Sequence, residues 1–217
     1  MGLTFPYCPV WFAPVVAKTS PEMPAKLAES AFKLFARRGI DNISLDQVAA
    51  AAGVTKGSLY WHFKNKGDVV KAACAHYYQT YHRRMHAAVA PISDPLRRLQ
   101  AALRLSVRTC LLDAENRVFT MEIWTLSVHD AEVRRSWRQF YDSVREFYIG
   151  LVRAAAHADE LQADDPERAV NLMLEAMEGV KLRAMFEPQI CAPDEENEIV
   201  RGLLEILGCD RKIAAAA

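Results

Sequence analysis

An all-α fold of about nine helices is what this sequence predicts. Three observations carry that expectation. From Pro24 onward apolar residues recur at helical spacing, and no stretch alternates with period two for long. Glycine and proline are sparse over the same span. Capping signatures stand at the head of the periodic runs: Ser44, Thr55, Asn65, Asp94-Pro95 and Asp165-Pro166.

In order along the chain, residues 1–23 read as an irregular extension, and Met23 is the expected natural start. Its segment "FPYCPVWFAPVV" is apolar but broken by Pro6, Pro9 and Pro14, and no Lys or Arg precedes it. It therefore lacks the basic front of a signal peptide. The first helix runs from Pro24 to Arg38 on a stripe of Leu27, Ala31, Leu34 and Phe35, with Gly39 as its cap. Ser44 with Gln47 forms a capping box, so the second helix starts near Leu45 and ends before Gly53. Thr55 opens a third helix to about Phe63, and Asn65 a fourth that reaches Ala90. Asp94-Pro95 opens the fifth, lasting to Leu112. A short apolar helix covers 118–128, and a long amphipathic one Asp130 to about Ala156. The last two run from Asp165-Pro166 to about Phe186 and from Asp194 to Leu207.

Composition narrows the function classes. No apolar run approaches the roughly 18 residues that span a bilayer, so a cytoplasmic protein with no membrane partner is expected. The five cysteines include no C-x-x-C pair and are expected to stay reduced. No Ser/His/Asp set, phosphate-binding glycine loop or apolar carboxylate pair stands out, and "GVTKGS" lacks P-loop spacing. Neither catalysis nor any metal or cofactor is expected. His82 and His86 have the i,i+4 spacing of a ligand pair, but "YHRRMH" reads better as a solvated basic face. Net charge is zero, yet residues 24–71 hold eight Lys/Arg against four acids, a surplus of four. A basic head on an acidic body points to a polyanionic partner for the head.

The stretch "GVTKGSLYWHFKNK" (53–66) places three aromatics, a histidine and three lysines in fourteen residues. The second helix, a short turn and the third helix have helix-turn-helix proportions. Ala49 and Gly53 are expected where two helices cross closely. Val48, Leu59 and Phe63 close a small core with Leu34 and Phe35. Lys56, Gly57, Tyr60 and Trp61 then face outward, as a helix in a major groove requires. The DNA-binding set expected from this chemistry is Ser44, Thr55, Lys56, Gly57, Tyr60, Trp61, His62 and Lys66. Thr55 and the helix-start amides would hold a phosphate, and Lys56 a guanine acceptor or a phosphate. Gly57 would admit close approach. Tyr60, His62 and Lys66 would grip the backbone, and Trp61 sugars or thymine methyls.

Phe35, Gly39, Ser44, Val48, Ala49, Ala52, Gly53, Val54, Thr55, Gly57, Tyr60, His62, Phe63 and Lys66 together make a specific pattern. On these residues the stretch 24–70 resembles the DNA-binding domain of the TetR family of bacterial repressors. Gly67-Asp68 departs from that pattern, where a helix-forming acidic pair is commoner.

The resemblance implies that residues 71–217 form a helical ligand-binding and dimerisation domain. It implies a homodimer, formed through the last two helices, that reads a palindromic operator on double-stranded DNA. Leu203, Leu204 and Leu207 are read either as contacts in that homodimer or as core of their own chain. Adaptable pocket walls are expected from Met85, Leu103, Val107, Phe119, Met121, Trp124, Trp137, Tyr141, Met173 and Met177, with core packing as the plainer reading of each. Glu122 beside Trp124 would favour a cation. The segment "TMEIWTLSVHD" is faintly similar to repressors sensing quaternary amines, multidrug cations or fatty acyl compounds. The expectation is a ligand-responsive repressor released by a small hydrophobic or cationic effector. The alternatives are a metal-sensing regulator and a small-molecule enzyme or carrier with an incidental helix-turn-helix.

Overall fold

Helix starts signalled in the sequence are built by the residues that signal them. A computed structural model describes residues 22–209, and among these it has nine α-helices and no strand. They are α1 (Glu22–Arg38), α2 (Leu45–Ala51), α3 (Lys56–His62), α4 (Lys66–Val89), α5 (Pro95–Ser106), α6 (Ala114–His129), α7 (Ala131–His157), α8 (Pro166–Arg183) and α9 (Glu196–Ile206). Ser44 Oγ accepts the Gln47 N–H while the Gln47 side chain accepts the Ser44 N–H, which is the full capping box. Asn65 Oδ1 accepts the Asp68 N–H at 3.0 Å, Asp94 the Arg97 N–H at 2.7 Å and Asp165 the Arg168 N–H at 3.0 Å.

Several boundaries differ from expectation, among them the end of α8 at Arg183 rather than about Phe186 and the start of α9 at Glu196, after a 3-10 turn at Pro193–Glu195, rather than at Asp194. α1 begins at Glu22, so only residues 1–21 of the extension lie outside the described chain. Asp113 Oδ1 caps the Asn116 N–H at 3.0 Å and lengthens α6 backward to Ala114. The end of the fifth helix is a π-helical segment, Val107–Leu112, leading into that cap. The cysteines at 74, 110, 191 and 209 form no disulfide among the described residues, and burial pushes Cys74 up to about 12. Cys8 lies outside the described residues.

The described chain divides into two compact units. The first holds 22–81 and Val118–Arg138. Its core is built on Leu27, Phe35, Val48, Leu59, Ile123 and Phe119, all fully buried. Phe32 meets Phe119 edge-on at 4.9 Å between ring centroids. Glu122 Oε2 accepts the Ile40 N–H at 3.1 Å, which ties α6 to the chain leaving α1. Lys71 of α4 pairs with Glu132 of α7.

The second unit holds His82–Arg117 and 139–209. Here α9 packs on α5, α8 and the π segment. Buried Tyr148 donates to the Ala102 carbonyl at 3.0 Å and sits 2.6 Å from Ser106 Oγ. Glu196, at the start of α9, takes Arg104 at 3.0 Å and Arg108 at 2.8 Å. Leu203, Leu204 and Leu207 are buried within their own chain, so of the two readings of these leucines it is intrachain core that holds. Exposed apolar side chains here are Leu172 and Leu182 on α8, Met185 and Phe186 in the turn after it, and Ile206 at the end of α9.

Candidate nucleic-acid interface

The site is assembled by how α2 ends. Its last carbonyls are closed by two crossed bonds, Val54 N–H to Ala49 O and Gly53 N–H to Ala50 O, both 3.0 Å. That closure needs a left-handed residue, and Gly53 has φ +66°. A Cβ on Gly53 would find only Lys26 Nζ, 3.9 Å away. The glycine therefore serves backbone handedness, and the helix-crowding role expected for it is not what the packing requires. Ala49, within α2, is buried.

Thr55 then caps α3 by accepting the Ser58 N–H at 3.2 Å. Leu59 and Phe63, four apart, are buried and fix which way α3 faces. Lys56, Gly57, Tyr60 and Trp61 are exposed on the other side, Tyr60 by 45% and Trp61 by 66%. Ser44 and Thr55 are exposed as well. A Cβ on Gly57 would meet only Thr55 Oγ1, at 3.9 Å, so the backbone there is open to close approach. The result is a short helix showing two rings, a cation and bare backbone along one side.

Some expected side chains have partners that the sequence did not reveal. Lys56 Nζ pairs with Asp46 at 2.9 Å and lies 5.9 Å from the Tyr60 ring centre. The hydrogen bond to Asp46 raises the pKa of the Lys56 ammonium. Lys66 is half-buried and donates to the Asp41 carbonyl at 3.2 Å, tying the start of α4 to the α1–α2 loop. His62 is half-buried, and its Nε2 has no partner among the described residues. That nitrogen is buried. Lys64, outside the expected set, is also exposed in the same stretch and has no ion pair among the described residues.

The expected pocket residues divide between the units. Phe119, Met121, Trp124 and Trp137 belong to the first, and Met85, Leu103, Val107, Tyr141, Met173 and Met177 to the second. Met85, Leu103, Val107, Phe119, Met173 and Met177 are buried. Met121, Trp137 and Tyr141 are half-buried, and Trp124 is 52% exposed. Trp137 packs against Tyr78, ring centres 6.0 Å apart. The Glu122 carboxylate, expected beside a cationic ligand, is engaged by Ile40. His82 Nε2 is 3.0 Å from Ser143 Oγ and burial lowers its pKa, while His86 is exposed. Among the described residues no His/Cys/Asp/Glu group has the makings of a metal site.

Residues 27–73 match the family model for bacterial regulatory proteins of the tetR family. Residues 95–208, more than half the chain, match that for the C-terminal part of BetI-type transcriptional repressors. The chain belongs to the TetR family. It is a transcriptional regulator with the DNA-binding helix-turn-helix of that family. TtgR of Pseudomonas putida, an HTH-type transcriptional regulator, is 27% identical over 172 residues, 77% of this chain and 82% of that protein. AcrR of Shigella flexneri is 46% identical over 43 residues, 20% of each chain. Among solved structures, a transcriptional regulator from Saccharomonospora viridis in complex with choline superposes with a TM-score of 0.78 at 20% identity, covering 88% of this chain and 99% of that one. A TetR regulator from Haloarcula marismortui gives 0.76 at 14% identity, covering 86% and 96%. At these identities the structural likeness establishes the TetR fold alone. No helix among the described residues is long and apolar enough to cross a membrane.

Proposed function

We propose that this TetR-family chain is a cytoplasmic, non-enzymatic repressor that binds a palindromic operator as a homodimer and is released by a small effector. The supporting observation is the two-sided character of α3: Leu59 and Phe63 buried, Lys56, Gly57, Tyr60 and Trp61 exposed. In this reading residues 24–70 bind DNA, and 71–217 sense the effector and dimerise. Two copies related by a two-fold axis read half-sites about 34–36 Å apart. The apolar residues exposed on α8 and α9 would pair with the same residues of the second copy. Effector binding in the body shifts α4 and spoils the match to the operator. Linkage then requires operator to weaken effector binding by the same factor.

Selection of preferred duplexes from a random pool, followed by anisotropy titrations at several salt concentrations, tests this. Tyr60→Ala should weaken binding to all duplexes alike. Lys66→Ala should weaken it and reduce the salt slope by about one unit. Lys56→Ala should lower the ratio of selected to random binding, by roughly 1–3 kcal/mol at the base it reads. Wild-type behaviour in all three variants would remove α3 from the interface.

A further inference from the structure

Lys181 is the one charged residue in the buried core of the described chain. It continues the inward stripe of α8 after Val170, Met173 and Met177, and its side chain is 4% exposed. An apolar residue is the usual occupant of such a position. Its ammonium donates to Glu178 Oε1 at 2.7 Å, and the Tyr141 hydroxyl donates to the same oxygen at 2.9 Å. Among the described residues Lys181 has no second acceptor, and Glu178 Oε2 accepts nothing. An ammonium carries three donors, and leaving buried ones unmatched is unfavourable. Unused Lys181 donors thus lie at a buried position beside the free Glu178 oxygen, whose side chain is 37% exposed, so the pair sits where the core opens to solvent next to Tyr141 and Met177.

We propose that Lys181 and Glu178 are the polar anchor of the effector site, and that the effector is an uncharged apolar molecule bearing a hydroxyl group. Its oxygen accepts from Lys181 and its proton is donated to Glu178 Oε2. This rests on the ligand-responsive reading above and names the chemistry of the ligand. Charge balance selects the class. The Lys181–Glu178 pair is already neutral and Lys181 is buried, so a carboxylate or ammonium seated against Lys181 would add a charge that the pair does not match. A hydroxyl fills both sides without adding one. Tyr141 keeps Oε1 occupied and directs the ligand to Oε2. Burial and the Glu178 carboxylate hold its phenol far above the ordinary range, so it remains a donor. Met177 offers a soft, adaptable wall for the apolar body.

Equilibrium dialysis of the full chain against 2-naphthol, naphthalene, 2-naphthoate and 2-naphthyltrimethylammonium tests the proposal. Wild type should bind 2-naphthol roughly ten- to a hundredfold more tightly than naphthalene, as hydrogen bonds to charged groups imply. Both charged analogues should bind more weakly than 2-naphthol. Lys181→Met should bring the naphthol-to-naphthalene ratio toward one. Glu178→Gln, which preserves shape, should do the same and stands in if the first variant fails to fold by circular dichroism. The proposal is overturned by equal binding of 2-naphthol and naphthalene to wild type, by preference for a charged analogue, or by no saturable naphthol binding. An undiminished ratio in the folded variants overturns it too. Operator binding by wild type is measured on the same preparation. Its loss defeats the repressor reading, whereas intact operator binding without a naphthol preference defeats only the hydroxyl anchor.

Discussion

Two glycines close helices by the same backbone device, yet they differ in what surrounds them. Gly53 (φ +66°) ends α2 and Gly208 (φ +92°) ends α9, each with the crossed pair of bonds that needs a left-handed residue. Beside Gly53 there is room. A Cβ on Gly208 would come 1.9 Å from the Gln162 carbonyl oxygen, and the Gln162 N–H already donates to the Gly208 carbonyl at 3.0 Å. Gly53→Ala should therefore cost only the backbone penalty, about 1–2 kcal/mol. Gly208→Ala should cost about 3 kcal/mol or more, because backbone must move as well. Urea midpoints of the two variants check the order; equal losses would mean that the α7–α8 loop yields freely.

At the level of elements, local signals translated well and distant ones did not. Ser44, Thr55, Asn65, Asp94 and Asp165 each cap the helix whose start they mark, because a cap is a contact across three residues of sequence. The two-sidedness of α3 was legible for the same reason. Tertiary partners were not. Asp46 on Lys56, Asp41 on Lys66 and Ile40 on Glu122 depend on how separate helices meet, and composition cannot order those choices. The π segment after Ser106 looked like plain helix, since a change from 3.6 to wider spacing over six residues leaves apolar periodicity almost intact. One inter-element contact has a pH signature. The Arg108 hydrogen bond, with Arg104 adding to it, holds the Glu196 carboxyl below its ordinary 4.5 despite partial burial. A lowered carboxylate stabilises the fold above its unfolded value, and that contribution fades as pH falls through the folded one. Glu196→Gln should thus be less stable than wild type at pH 7, by about 1–3 kcal/mol. The gap should narrow once pH drops below about 4.5. A gap that stays constant down to acid pH would mean that the pair contributes shape alone.

For the whole molecule, the exposed apolar side of α8 and α9 is the feature that a lone chain leaves unexplained. Leu182, near the end of α8, is 49% exposed, and Phe186, in the turn that follows α8, is 67% exposed. If that side joins two copies, Phe186→Asp should convert a species of twice the chain mass into single chains in sedimentation. Operator affinity should fall with it, by roughly a hundredfold or more, since linked heads gain effective concentration. A monomeric wild type would end the two-fold operator reading altogether. A second whole-molecule property lies in the three rods that pass from one unit to the other. The junctions at 81/82, 117/118 and 138/139 all fall inside helices: α4, α6 and α7. Among the described residues no loop separates the two units at these three positions, so one unit cannot be exchanged by a single cut. Grafting a foreign head would require three splices in phase, and adding or dropping one residue at any of them would swing everything beyond it by about 100° around the helix axis.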